Sequence, residues 1–208
     1  MNRETTAPAG RLTRRESQEA TRQRLVAAAI ELYARAGVAG TSLNAVAEHA
    51  GFSRGAVHGN YAGKDELAAA VAASVAGALA PQLAAVLAAP APSGERLAAY
   101  IRTFLEFCAR QPDSARALIA VVEHFGRRDP QYYGDRAAAS LGDLVALFED
   151  GQRRGEMRDF DPRTMAFAVR TVLDSAAARL SASQDDAART TAEITALFAA
   201  ATRSEAAA

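Results

Sequence analysis

Ser53, Arg54, Gly55 and Ala56 begin a short regular segment that combines small side chains with one extended cation. Such a surface suits the groove of a nucleic acid, where the planar fork of Arg54 matches the O6 and N7 acceptors of guanine. A phosphate contact is the other role open to Arg54, because phosphates take the majority of protein–DNA hydrogen bonds. Further on stands Lys64, the single lysine in a chain of 208 residues, placed where an alanine-rich apolar helix begins. Catalytic chemistry has no such foothold. GxSxG, HExxH and P-loop motifs are missing, and the 3 histidines are isolated, so no nucleophile, metal site, cofactor or acid–base pair is expected.

The elements that must carry these residues can be placed from periodicity. Leu25, Ala28, Ala29, Leu32 and Tyr33 recur at helical spacing from Thr21 to Ala36, and Gly37 supplies a left-handed stop. Thr41 and Ser42 offer N-cap hydroxyls to a second short helix with Leu43, Val46, Ala47 and Ala50 on one face, stopped by Gly51. Ser53 can cap a third, ending near His58 and Gly59. Gly63 opens a long fourth helix, with Asp65 and Glu66 suited to the positive end of its dipole. Pro81 is expected to bend or end that helix. The second and third helices have the dimensions of a helix-turn-helix, whose second member enters the major groove; short helical hairpins also build ordinary cores.

The composition, half apolar and rich in alanine, favours an all-α chain. Its one cysteine, Cys108, points to a reducing compartment, and the absence of a signal-like apolar run leads to an expected soluble, cytoplasmic protein without a membrane partner. Net charge is zero, but residues 1–67 carry nine basic against seven acidic side chains. Arg3, Arg11, Arg14, Arg15, Arg22 and Arg24 crowd the beginning, either as a basic DNA-binding arm or as a merely solvated tail.

The stretch from Thr21 to Leu67 resembles the N-terminal domain of TetR-type bacterial transcriptional regulators. The resemblance rests on Thr21-Arg22, Ala28-Ala29, Leu32-Tyr33, Gly37, Thr41-Ser42, Val46-Ala47, Ala50-Gly51, Ser53 with Gly55, and Tyr61 followed by Lys64 and Leu67. It implies that Ser42 and Lys64 clasp DNA phosphates on either side of the reading helix, roles that a helix N-terminus and an ammonium can fill. The candidate DNA-binding set is Ser42, Ser53, Arg54, Gly55, Ala56, His58, Asn60 and Lys64. His58 and Asn60 depart from the family, which commonly has tyrosine and a second aromatic or histidine there. His58 either donates to a phosphate, a contact that would weaken as pH rises through its titration, or is half-buried against the first helix.

Beyond Leu67 the resemblance is one of layout. Further helical patterns occupy 95–110, 113–125, 130–154, 162–181 and 185–200, for about nine helices in all. The expected organisation is a mobile basic tail (1–18), a DNA-binding domain (19–80), a helical ligand-binding and dimerisation domain (81–202) and a short tail (203–208). Met165, Val169, Val172, Leu173, Ala176 and Leu180, with Ile194, Leu197 and Phe198, form stripes that either pair two copies through the last two long helices or face the monomer's core. Tyr100, Phe104, Phe107, Cys108, His124, Phe167, Arg170 and Asp174 are candidates for an effector pocket or for plain core, and Arg170 and Asp174, four apart, have the spacing of an ion pair with each other. The functional expectation is a homodimeric repressor released from a palindromic DNA operator by an unknown small molecule; the alternative is a helical ligand sensor or carrier with weak or lost DNA binding.

Overall fold

Thr13 begins the first helix with a reciprocal cap: its hydroxyl accepts from the Glu16 amide at 3.2 Å, and the Glu16 carboxylate accepts from the Thr13 amide at 2.7 Å. Helix α1 (Arg14–Gly40) therefore starts well before Thr21, within the stretch expected to be tail. Leu25, Val26, Ala28, Ala29 and Tyr33 are buried on one face, and Gly37 breaks the helix at φ 68°, a conformation glycine adopts without penalty. The computed structural model describes residues 13–128, 141–177, 179 and 184–204. The expected tail up to residue 12, the beginning of the seventh helix at Pro130, Leu180 and Ser181 of the eighth, and residues 205–208 lie outside them.

Two short helices follow. Helix α2 (Leu43–His49) is capped by Ser42, whose hydroxyl accepts from the Ala45 amide at 3.0 Å. Gly51, at φ 74°, turns the chain toward α3 (Arg54–His58), which buries only Val57. Helix α4 (Lys64–Leu87) continues past Pro81, so of the expected bend or stop the stop does not occur. Both Pro81 and Gly77, whose carbonyl loses its helical donor to the proline, are exposed, so water can serve that oxygen. By length and composition α4 is apolar enough to cross a membrane, with a mean hydropathy of 1.8 over its most apolar 18 residues, 17% of which are buried in this protein.

The remaining described helices are α5 (Ser93–Arg110), α6 (Pro112–Arg128), α7 (Gly142–Arg153), α8 (Pro162–Ala177) and α9 (Gln184–Thr202). Helix α5 sits centrally, packed against α4, α6, α7, α8 and α9. Its buried face, Leu97, Tyr100, Ile101, Phe104, Leu105, Phe107 and Cys108, provides much of one apolar core. At its start Arg96 ties three elements together, donating to the Leu87 carbonyl at 3.1 Å, the Ser93 hydroxyl at 3.0 Å and the Asp150 carboxylate at 2.6 Å.

A second core joins α1 to α4, and it includes Ala117 and Val121 of α6. Helix α6 packs along α1 over much of its length. The apolar interior of the N-terminal head thus continues past residue 80 into the bundle, with Ile30 packed against both cores.

The apolar stripes of the last two helices resolve toward the interior. Val169, Leu173, Ala176, Ile194 and Phe198 are buried in the bundle core, with Met165 and Val172 packed against it. For these residues the second of the two readings holds, the monomer's core, and only the outward sides of the two helices are left for a contact between copies. Periodicity identifies an apolar face but not what covers it, and here α5 does. Among the described residues, the large apolar side chains left on the outside are Phe167, 64% exposed, and Leu197, 55% exposed.

Candidate nucleic-acid interface

The outer surface of α2 and α3 is built from groups left over once their inner faces are buried. Val46, Ala47 and Val57 anchor the pair to the head core, while Ser42, Ser53, Arg54, Gly55 and His58 are exposed and Ala56 is half-buried. Several neighbouring charges are engaged: Glu31 meets His49 at 2.9 Å and Arg35 at 3.7 Å, and Arg22 and Arg24 lie on the turns beside α3. Arg54 makes no hydrogen bond or ion pair among the described residues and is free to meet a ligand.

His58 stands in solvent rather than half-buried against α1. Asn60 turns inward instead: its amide nitrogen donates to the Ala56 carbonyl at 2.8 Å, its side-chain oxygen is buried without a partner, and its carbonyl accepts from Arg22. The two departures from the family pattern therefore have different environments. One faces outward as a possible donor, and the other closes the end of α3.

Lys64 sits at the head of α4 with its ammonium on the far end of α1, donating to the Val38 carbonyl at 3.3 Å and the Ala39 carbonyl at 3.0 Å. A cation at a helix C-terminus satisfies carbonyls that have no intrahelical partner. An ammonium carries three donors, so this arrangement leaves one N–H uncommitted.

Next to it, Asp65 joins α4 to α6. Its carboxylate receives His124 at 2.7 Å and Arg128 at 2.7 and 2.9 Å. The hydrogen bond from His124, followed by the charge of Arg128, holds the Asp65 carboxyl below the usual carboxylate range. Nearby, burial and then the Asp65 charge push the buried Tyr33 hydroxyl up to about 12.

The proposed effector residues divide into separate groups. Arg170 lies over the Phe104 ring at 5.0 Å and pairs with Asp174 at 3.0 Å. Burial works against its charge, but Asp174 and the Tyr100 hydroxyl more than offset this and keep Arg170 protonated. The same burial pushes the Cys108 thiol up to about 12, an inert thiol at neutral pH. Phe107 is also buried in this core. His124 instead belongs to the α4–α6 seam, and Phe167 points outward from α8.

Open grooves lie elsewhere. One of about 280 Å³ runs between Val86 and Arg102, and another of about 240 Å³ separates Tyr33 and Gly37 on α1 from Arg116 and Glu123 on α6. Asp65, Arg22 and Arg24 were not in the sequence-based site. Arg22 stands in the family pattern and Asp65 in a helix's first turn, but neither position, nor Arg24 among the N-terminal charges, shows which distant residue it meets.

Comparison with known families places both halves. Residues 25–71 match the model described as bacterial regulatory proteins, tetR family, and residues 90–199 match one described as tetracyclin repressor-like, C-terminal domain. No curated protein sequence matches the chain. Among solved structures, the ketosteroid transcriptional regulator KstR2 of Mycobacterium tuberculosis is 18% identical with a TM-score of 0.73, over 95% of this chain and 99% of that one. AibR in complex with isovaleryl coenzyme A and operator DNA is 16% identical with a TM-score of 0.72, over 85% and 97%. A tetR-family regulatory protein from Rhodococcus RHA1 is 21% identical with a TM-score of 0.69, over 84% and 95%. At these identities the structural likeness is one of fold.

Proposed function

The chain belongs to the tetR family of bacterial regulatory proteins, and from that premise we propose that it is a cytoplasmic, homodimeric repressor released from a palindromic operator by a small-molecule effector. The observation that carries the reading is Arg54, an uncommitted guanidinium on the exposed start of α3 among the small neighbours Ser53, Gly55 and Ala56. Arg54 reads a base edge, and Ser42 and Lys64 fix the head on flanking phosphates. Two heads related by a two-fold axis then meet two half-sites.

The dimer forms through the outward faces of α8 and α9, where Phe167 and Leu197 leave apolar area exposed. The effector enters the bundle core beside α5. Phe104 and Phe107 supply apolar contact, and Tyr100 and Arg170 present polar groups to it. AibR is described in complex with isovaleryl coenzyme A, and KstR2 as a ketosteroid regulator. We extend that chemistry to this chain as a mostly apolar effector carrying a polar or anionic group. Release follows by linkage: a ligand preferring a bundle arrangement in which the heads are misplaced weakens operator binding by the same factor.

The test is a binding titration on the DNA just upstream of the coding region, followed by a release screen with acyl thioesters, fatty acids and steroids. Specific binding reversed by one such class supports the reading. A protein that binds these ligands without any DNA preference is a sensor or carrier instead.

A further inference from the structure

Helix α3 has a stability problem that its own sequence does not solve. It spans Arg54–His58, its N-cap Ser53 makes no side-chain cap bond, and Val57 is its one buried residue. A helix this short is marginal in water, because nucleation costs more than so few propagated bonds return. A surface that reads bases nevertheless needs a fixed register.

The turns on both sides of α3 are gripped from α1. At the N-terminal end, Arg24 donates to the Ala50 carbonyl at 2.9 Å and lies over the Phe52 ring at 4.5 Å. At the C-terminal end, Arg22 donates to the Asn60 carbonyl, lies over the Tyr61 ring at 4.3 Å and stands 3.9 Å from the Glu66 carboxylate. The Tyr61 hydroxyl returns a bond to the Arg22 carbonyl at 3.4 Å. Residues two apart leave a helix on different flanks, which lets this pair reach opposite sides of one short element.

We infer that Arg22 and Arg24 are positioning residues for operator recognition: they bracket the reading helix and set its register on α1 rather than contacting DNA phosphates themselves. The inference rests on the reading of α3 as the DNA-reading helix. Each bracket needs a planar cation that stacks on a ring and donates to a carbonyl at once, which a lysine ammonium does not reproduce.

The experiment uses the full-length dimer with Arg22→Lys/Arg24→Lys and Arg22→Met/Arg24→Met double variants. Hydrogen exchange of residues 50–61 is measured without DNA, and binding to operator and scrambled duplexes is measured across a salt series. Both variants should exchange faster in 50–61, with α5 protection unchanged. Both should lose operator affinity by roughly tenfold or more, the scale of a lost stacked, charge-assisted contact. Affinity for scrambled DNA and the salt slope should stay at wild-type values.

Restored operator affinity in the lysine variant, or a methionine variant with a slope shallower by about 0.9 per arginine, would make the two direct phosphate contacts and overturn the inference. Unchanged exchange in 50–61 also overturns it. A wild type without operator preference would sink the DNA reading alone, since the exchange measurement still judges the bracket.

Discussion

The ammonium of Lys64 lies 3.0 Å from the carbonyl oxygen of Ala39, so the first residue of α4 closes the end of α1. An expected phosphate ligand is thus also an internal strut, and the two roles use different N–H groups. Replacing Lys64 by Met should shrink the slope of log affinity against log salt by about 0.9, one phosphate contact. It should also lower stability by about 0.3–1 kcal/mol, the worth of a cation on a helix C-terminus. Salt-series binding and urea unfolding measure the two effects separately.

Acid should loosen the seam between head and bundle. The folded-state pKa of Asp65 is depressed, through His124 and then Arg128, so its contribution is present above the ordinary carboxylate value near ~4 and fades as pH falls through the folded value. The stability difference between wild type and Asp65→Asn should be constant near neutrality and shrink below about pH 4. Urea midpoints across pH 2.5 to 7 would show it, with these bounds set at roughly one unit or more around the carboxylate range.

The outward faces of α8 and α9 should hold two copies together. Phe167 and Leu197 are exposed, so charging them places little strain on the folded monomer. A Phe167→Glu/Leu197→Glu variant should sediment as a folded monomer with unchanged helicity. Its operator affinity should drop steeply, because a single head meets only one half-site.

Gly151 is a packing limit in the bundle. A Cβ there would meet the Met157 sulfur at 2.8 Å, its Cγ at 2.9 Å and the Ser93 Cβ at 3.0 Å. The methionine can swing aside, but the serine Cβ is tied to its backbone, so Gly151→Ala should destabilise by about 1–3 kcal/mol. Thermal unfolding of the full chain checks this, with DNA binding well below the transition as the control for a folded head.

Local signals made the head legible. Gly37 and Gly51, the Ser42 cap and the apolar face with Val46 and Ala47 are all short-range features, and each recurs in the structure. What stayed hidden depends on packing between distant elements. Arg22 and Arg24 were counted as charge in a basic arm, yet they stack on Tyr61 and Phe52. His124, read as a pocket residue, reaches across to Asp65. The α8 stripe was visible, but its cover was not, because one amphipathic pattern serves a monomer core and a dimer contact equally well. Pro81 does not end its helix, because a proline at an exposed position removes one hydrogen bond that water can replace.

The most direct test of the account compares the wild type and Arg54→Ala on the operator and on a scrambled duplex at several salt concentrations. The wild type should prefer its operator by roughly 10³-fold or more. Arg54→Ala should lose about 1–3 kcal/mol on the operator alone and relax the preference at one base pair of each half-site. Equal affinity of the wild type for both duplexes would contradict the claim that α3 reads DNA sequence.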